Sequence, residues 1–244
     1  MNDDIQQLCA LLRLRRIPEV LDRETKAATK TGSGYTDFLG RLLREEYIAQ
    51  QEKATRARIQ RARIPELWSL DSFPWDLQPG VDRKVIREHA NLDFVRTGTN
   101  LVLVGATGVG KTGLATGLLL CALQGGYRGL FIKAQDLFDE MYASLADYNT
   151  RKLLDRLSRY EVLLIDELGY LNLRPEQTNI FFKLMEDRHA AKRATIVTTN
   201  LDYDDWGRFL GNQMLTGALL SRLRHRCHTL RIDGPSLRTA ASTA

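Results

Sequence analysis

LVLVGATGVGKT, residues 101–112, is the stretch that decides the architecture. Leu101 to Val104 form a short apolar run that reads as a buried strand, and the residues from Lys111 to about Leu123 read as a helix. Between them, Gly105, Gly110, Lys111 and Thr112 satisfy the spacing GxxxxGK[ST]. Glycines at 105, 108 and 110 let the backbone bend so that successive amide N–H groups face one point, and the helix start adds partial positive charge there. The result is an anion cradle for a nucleoside triphosphate. The run Gly105, Ala106, Thr107, Gly108, Val109, Gly110, Lys111, Thr112 and Gly113 is therefore expected to hold ATP. Lys111 should reach the β and γ phosphates, and the Thr112 hydroxyl should help hold Mg²⁺. A glycine-rich turn with a surface lysine is the plain alternative, but a strand before the loop and a helix after it are the context the mechanism needs.

Further along, the same kind of apolar run recurs at 129–132 (GLFI), 162–165 (VLLI), 195–199 (TIVTT) and 228–232 (HTLRI), with helical stretches between. Continuous apolar strands alternating with helices predict an α/β domain with a central parallel sheet covered on both faces. VLLI runs directly into Asp166 and Glu167, at the strand end where such sheets bind ligands, and the pair resembles a Walker B element. Asp166 is expected to hold Mg²⁺, and Glu167 to orient the attacking water; an ordinary strand exit and helix cap is the alternative. Asn200 follows TIVTT and could donate to the γ phosphate or that water, although asparagine is also a common turn residue.

Upstream, Ile5, Leu8, Cys9 and Leu12 follow helical spacing, as do Leu39, Leu42, Leu43 and Tyr47 after the breaker-rich TGSG at 31–34. A helix over roughly 47–63 sets a narrow stripe of Ile48, Thr55, Ile59 and Ala62 against the cations Lys53, Arg56, Arg58, Arg61 and Arg63, with no acid from 53 to 63. On charge alone a solvated helix face explains such a run; phosphate contacts from a nucleic acid are the other reading. Pro65 ends the helix, so the chain is expected to comprise a small all-helical domain, 1–66, and a larger α/β domain, 67–244. Trp68, Phe73 and Trp75 in the connecting segment are candidates either to flank an adenine ring or to anchor the core.

The net charge of +5 permits a polyanionic partner without identifying one. Three scattered cysteines outside any CxxC spacing suggest neither a disulfide framework nor a zinc site, and no apolar run approaches membrane-spanning length. A soluble cytoplasmic protein with no membrane partner is expected.

With phosphate loop, acidic pair and polar strand end in this order, the larger domain resembles the AAA+ superfamily, specifically its DnaC and DnaA branch. RIPEVL at 16–21, FLGRLLREE at 38–46, RARIQRARIP at 56–65, LDSFPW at 70–75 and SRLRHR at 221–226 together resemble the IstB family of ATP-binding transposition helpers, over nearly the whole chain. The resemblance implies a Mg²⁺-dependent ATPase that assembles as a homo-oligomer on double-stranded DNA, remodels it and delivers it to a cognate transposase. A DnaC-like helicase loader is the alternative. The resemblance also implies a sensor 1 role for Asn200 and an arginine-finger role for Arg222, reaching a neighbouring subunit's nucleotide. It makes DNA the expected partner of the basic helix. No C-terminal lid domain is expected, since only about a dozen residues, largely small and polar, follow HTLRI. A small-molecule kinase is disfavoured by the lack of an acceptor-pocket signature.

Overall fold

The computed structural model describes residues 3–169, 171–211 and 213–237. The chain divides into two compact units, Met1–Ala57 and Arg58–Ala244, so residues 58–66 fall in the second unit although the sequence reading placed its boundary near 66.

The first unit comprises α1 (Asp3–Leu11), α2 (Arg16–Thr31) and all but the last turn of α3 (Tyr35–Arg61). α2 has no side-chain cap from its own N-cap residue. Glu46 supplies one from α3, accepting the backbone N–H groups of Arg15 at 3.1 Å, Arg16 at 2.6 Å and Ile17 at 3.0 Å. Burial pushes the Glu46 carboxyl up, but the bonds from Ile17, Gln50, Arg16 and Arg15 outweigh it and hold the pKa below the ordinary value. Cys9, Ile17, Val20 and Leu42 are the buried apolar residues.

Leu39, Leu42, Leu43 and Tyr47 lie on α3, as their helical spacing predicts; Leu42 turns inward with Phe38, whereas Leu39, Leu43 and Tyr47 are exposed. One expectation fails here. The basic helix expected over 47–63 is the second half of a continuous helix beginning at Tyr35, because residues 35–61 contain no proline and only one glycine. Ile48 of its expected apolar stripe is exposed, while Ile59 and Ala62 pack into the core of the second unit.

The second unit continues with α4 (Arg83–Ala90), α5 (Asp93–Thr97), β1 (Asn100–Gly105), α6 (Lys111–Gln124), β2 (Gly129–Lys133), α7 (Ala134–Ala146), α8 (Thr150–Ser158), β3 (Val162–Leu168), α9 (Pro175–Ala190), β4 (Ala194–Thr199), α10 (Trp206–Leu210), α11 (Gln213–His225) and β5 (Cys227–Ile232). All five expected strands are present, paired in parallel in the order β2-β3-β4-β1-β5. Strand side chains alternate between faces. Val102, Leu130, Leu163, Ile165 and Val197 join Phe138, Leu157, Phe181 and Leu219 from α7, α8, α9 and α11. Leu101, Leu103, Phe131, Leu164 and Ile196 join Ile86, Phe94, Leu114 and Leu118 from α4, α5 and α6. The sheet is thus the middle of three layers, which explains why its inner strands read as unbroken apolar runs.

One buried cation ties the far end of this stack. Arg188 of α9 donates to Leu157 O at 2.9 Å, Tyr160 O at 3.0 Å, Thr195 Oγ1 at 3.0 Å and Ala194 O. Burial, with a smaller push from Arg193, brings its pKa down to about 9, so it remains charged at neutral pH. At the other end, parallel strands deliver Gly105, Asp166 and Thr199 to the same carboxyl edge of the sheet.

Candidate nucleotide-binding site

The loop after β1 turns on two residues in the left-handed region, Gly108 at φ +87° and Gly110 at φ +91°, the latter capping α6. Lys111 folds back over the loop, its Nζ donating to Gly105 O and Ala106 O, each at 2.7 Å. Val109 faces the other way and is buried in the core.

Across the strand ends stands the acidic pair. Asp166 is 2 % exposed, and its Oδ1 accepts the Thr112 hydroxyl at 2.9 Å and the Thr198 hydroxyl at 2.6 Å. Burial raises the Asp166 pKa above its ordinary 3.8, with Glu167 adding to the rise and the two hydroxyls and Lys133 opposing it. Glu167 is exposed and occupies the left-handed region at φ 59°, a conformation that costs a non-glycine residue about 1–3 kcal/mol. The cause is a bulge: Ile165 pairs with Val197 but Leu168 pairs with Thr199, so β3 carries one residue more than β4 over this step. The Glu167 N–H donates instead to Thr198 Oγ1 at 2.9 Å, and Thr199 Oγ1 donates to Leu168 O at 2.6 Å. Asn200, one residue beyond β4, has its Oδ1 buried with no hydrogen-bond partner among the described residues.

These groups line one cavity of about 820 Å³, within the usual range for a small-molecule site, together with Trp68, Phe73, Phe131, Lys133, Gln135 and Leu171. Trp68 lies on Gly113, and Phe73 lies against Gly110. Trp75 is outside the cavity, where its Nε1 donates to Leu70 O and the Arg83 guanidinium lies 5.2 Å from its ring centre. Two further segments brace the loop. The buried Gln78 donates to Val109 O and Pro235 O, each at 3.0 Å, and Leu237 N–H donates to Gly108 O at 2.9 Å.

Thus Lys111, Thr112, Asp166, Glu167 and Asn200 share one cavity, and Arg222 does not line it. On α11, Arg222 reaches Glu186 Oε1 at 3.3 Å and Ala218 O at 3.2 Å, with its guanidinium 5.0 Å from the Phe182 ring centre. In the first unit, Lys53 is exposed and Arg56 pairs with Glu52 at 3.1 Å. In the second unit, Arg61 and Arg63 are exposed, while the half-buried Arg58 donates to Leu123 O at 2.8 Å, capping the last turn of α6. The sequence reading passed over Thr198, Lys133 and Gln78. Thr198 lay inside a run read only as a strand, and the one available signal was its place two residues before Asn200.

Among the described residues no helix is long and apolar enough to cross a membrane, and no group of three or more His, Cys, Asp or Glu residues could hold a metal ion. The latter does not bear on Mg²⁺, which typically takes one or two protein oxygens beside substrate phosphates.

The site can be set beside known proteins. The sequence profile of the family described as IstB-like ATP binding protein matches residues 7–244. The protein named for ATP binding in insertion sequence IS21 of Pseudomonas aeruginosa is 34% identical over 235 residues, spanning 96% of this chain and 88% of its own length. Among solved structures, the DnaC helicase loader is similar with a TM-score of 0.54 at 25% identity, over 62% of this chain and 88% of that one. Replication initiator DnaA, solved with AMPPCP and single-stranded DNA, is similar with a TM-score of 0.60 at 17% identity, over 71% of this chain and 52% of that one, a likeness of fold. The fold is therefore the AAA+ α/β fold of DnaC and DnaA, with a helical N-terminal part and an ATP-binding role. Matched by the family profile along nearly its whole length, the chain belongs to the family of IstB-like ATP-binding proteins.

Proposed function

We propose that the chain hydrolyses ATP with Mg²⁺ when assembled with further copies of itself on duplex DNA, and that it thereby prepares that DNA for a transposase. The observation that carries the hydrolysis reading is the shared cavity of phosphate loop, Asp166, Glu167 and Asn200. Backbone N–H groups from Gly105 to Gly113 cradle the phosphates. Lys111 exchanges its two loop carbonyls for phosphate oxygens, and Asn200 turns its side-chain NH2 to the γ phosphate or the attacking water. The donor set fits a hard divalent cation: a buried carboxylate and a hydroxyl, both oxygen ligands, stand 2.9 Å apart at Asp166 and Thr112. When bound, Mg²⁺ neutralises charge on the transferring phosphoryl group. Glu167, exposed at the cavity edge, orients the water for in-line attack.

Assembly enters through Arg222. Lying outside its own chain's cavity, its guanidinium serves a neighbouring copy, where it stabilises charge on the transferring group. The ion pair with Glu186, with both side chains about one-third exposed, is weak enough to exchange for a phosphate. Lys53, Arg56, Arg61 and Arg63 supply exposed charge for the DNA backbone, and Arg58, half-buried at the end of α6, adds its positive charge to theirs. The delivery role is supported by relatives that are named from insertion sequences. A loader role like that of DnaC is the competing reading, supported by the likeness to the DnaC helicase loader.

Mixing subunits tests the trans arrangement. Lys111→Ala and Arg222→Ala are each expected to lower kcat on duplex DNA by about 10³-fold or more, while an equimolar mixture regains activity because intact sites meet intact fingers. Full activity of Arg222→Ala alone, or a mixture no better than its parts, would refute the arrangement. Capture of a replicative helicase in place of a transposase would favour the loader reading.

A further inference from the structure

On the hydrolysis reading, the acidic pair works only if both of its carboxylates are correctly aimed. The bulge in β3 takes the Glu167 N–H away from the backbone carbonyls of β4, and the Thr198 hydroxyl accepts it at 2.9 Å. That hydroxyl has one hydrogen to give. It goes to Asp166 Oδ1 at 2.6 Å, since the Glu167 N–H can only donate, and the lone pairs of the hydroxyl face Glu167. The polarity of the chain is thereby fixed, running from Glu167 N–H through Thr198 O–H to Asp166, which also takes the Thr112 hydroxyl. Thr198 is fully buried, so no solvent competes for either bond.

We propose that Thr198 is the positioning residue of the site: a single hydroxyl sets the Asp166 carboxylate toward Thr112 and holds the left-handed backbone that presents Glu167 to the cavity. Its neighbour Thr199 stitches the far side of the same bulge through Leu168 O, so the end of β4 grips β3 on both sides. Asn200 follows at once. A shift of Asn200 on meeting the γ phosphate is therefore passed through two threonines to the backbone of Glu167, coupling recognition of the third phosphate to placement of the water-orienting group.

The test compares the full chain with T198S, which keeps the hydroxyl, and T198V, which keeps the shape. Three readouts are taken: affinity for a fluorescent ATP analogue without Mg²⁺, kcat for ATP, and hydrogen exchange at the Glu167 amide in the nucleotide-free protein. T198V is expected to keep the affinity, to lose about 10²-fold in kcat, the scale of an ångström's misplacement, and to exchange the Glu167 amide about tenfold faster, the worth of one net hydrogen bond. T198S should restore kcat and protection. Unchanged kcat in T198V, equal loss in T198S, or affinity falling in step with kcat would overturn the proposal. So would unchanged Glu167 exchange, which leaves the hydrolysis reading standing. A wild-type chain that turns over no ATP, even on DNA, would instead sink the hydrolysis reading and the catalytic half of this proposal with it.

Discussion

Gly110→Ala tests whether the phosphate loop is as tightly enclosed as its geometry implies. At φ +91° an alanine sits in a region that costs about 1–3 kcal/mol. Its Cβ would also lie 2.9 Å from two ring carbons of Phe73 and 3.0 Å from Leu237 Cδ1, an overpacking worth about 1–3 kcal/mol. Together they remove about 2–6 kcal/mol, a large share of the roughly 5–15 kcal/mol that holds an ordinary protein folded. Gly113→Ala, three residues on in the same motif, is the control. There the nearest atom is Trp68 Cδ2 at 3.5 Å, an ordinary contact, and the helix gains about 0.5–1 kcal/mol from alanine. Urea unfolding followed by tryptophan fluorescence suits the comparison, because Trp68, Trp75 and Trp206 all belong to the second unit. With a slope of about 2 kcal/mol per molar, the Gly110→Ala midpoint should fall by roughly 1–3 M while that of Gly113→Ala stays level or rises. Equal midpoints for wild type and Gly110→Ala, or an equal fall in both variants, would refute the reasoning.

Two further outcomes concern ionisation. Because burial raises the Asp166 pKa, folding loses stability as pH climbs from 3.8 through the folded value; Asp166→Asn should therefore melt above wild type at neutral pH without nucleotide, with the gap narrowing in acid, and a lower melting temperature at pH 7 would contradict this. His89 is buried beside His228, ring centres 5.0 Å apart, with Phe94 edge-on and Glu88 adjacent; burial and then His228 push its pKa below 6.5 while Glu88 opposes. Its share of stability is present above about pH 6.5 and lost as pH falls through the folded value, so His89→Phe should flatten the decline of the urea midpoint between about pH 7 and 5, and an unaltered slope would count against it.

How much of this could be read from sequence depended on whether a feature was local. The strands were legible because a doubly covered sheet demands unbroken apolar runs, and the phosphate loop because its glycines and lysine lie within one turn. Which residue of α3 turns inward was not legible, because Leu39, Leu42, Leu43 and Tyr47 satisfy helical spacing equally well, and only packing against α1 and α2 selects Leu42. Thr198 was invisible for a related reason. Its importance comes from an extra residue in a different strand, and no pattern within TIVTT announces a bulge in its neighbour. Likewise the duty of Arg58 at the end of α6 joins residues far apart in the chain.

The strand order has a consequence for how this protein comes into being. β1, which carries the phosphate loop, lies between β4 and β5, the last two in chain order of the five described strands. On a ribosome the loop emerges early, yet both strands that flank it are still untranslated, and the buried Asn100 that opens β1 waits for Thr195, Leu223 and Arg226 to satisfy it. A nascent chain halted before β4 therefore displays the complete nucleotide-binding motif without the sheet that shapes it, and competence to bind ATP arrives only once β4 and β5 have been made.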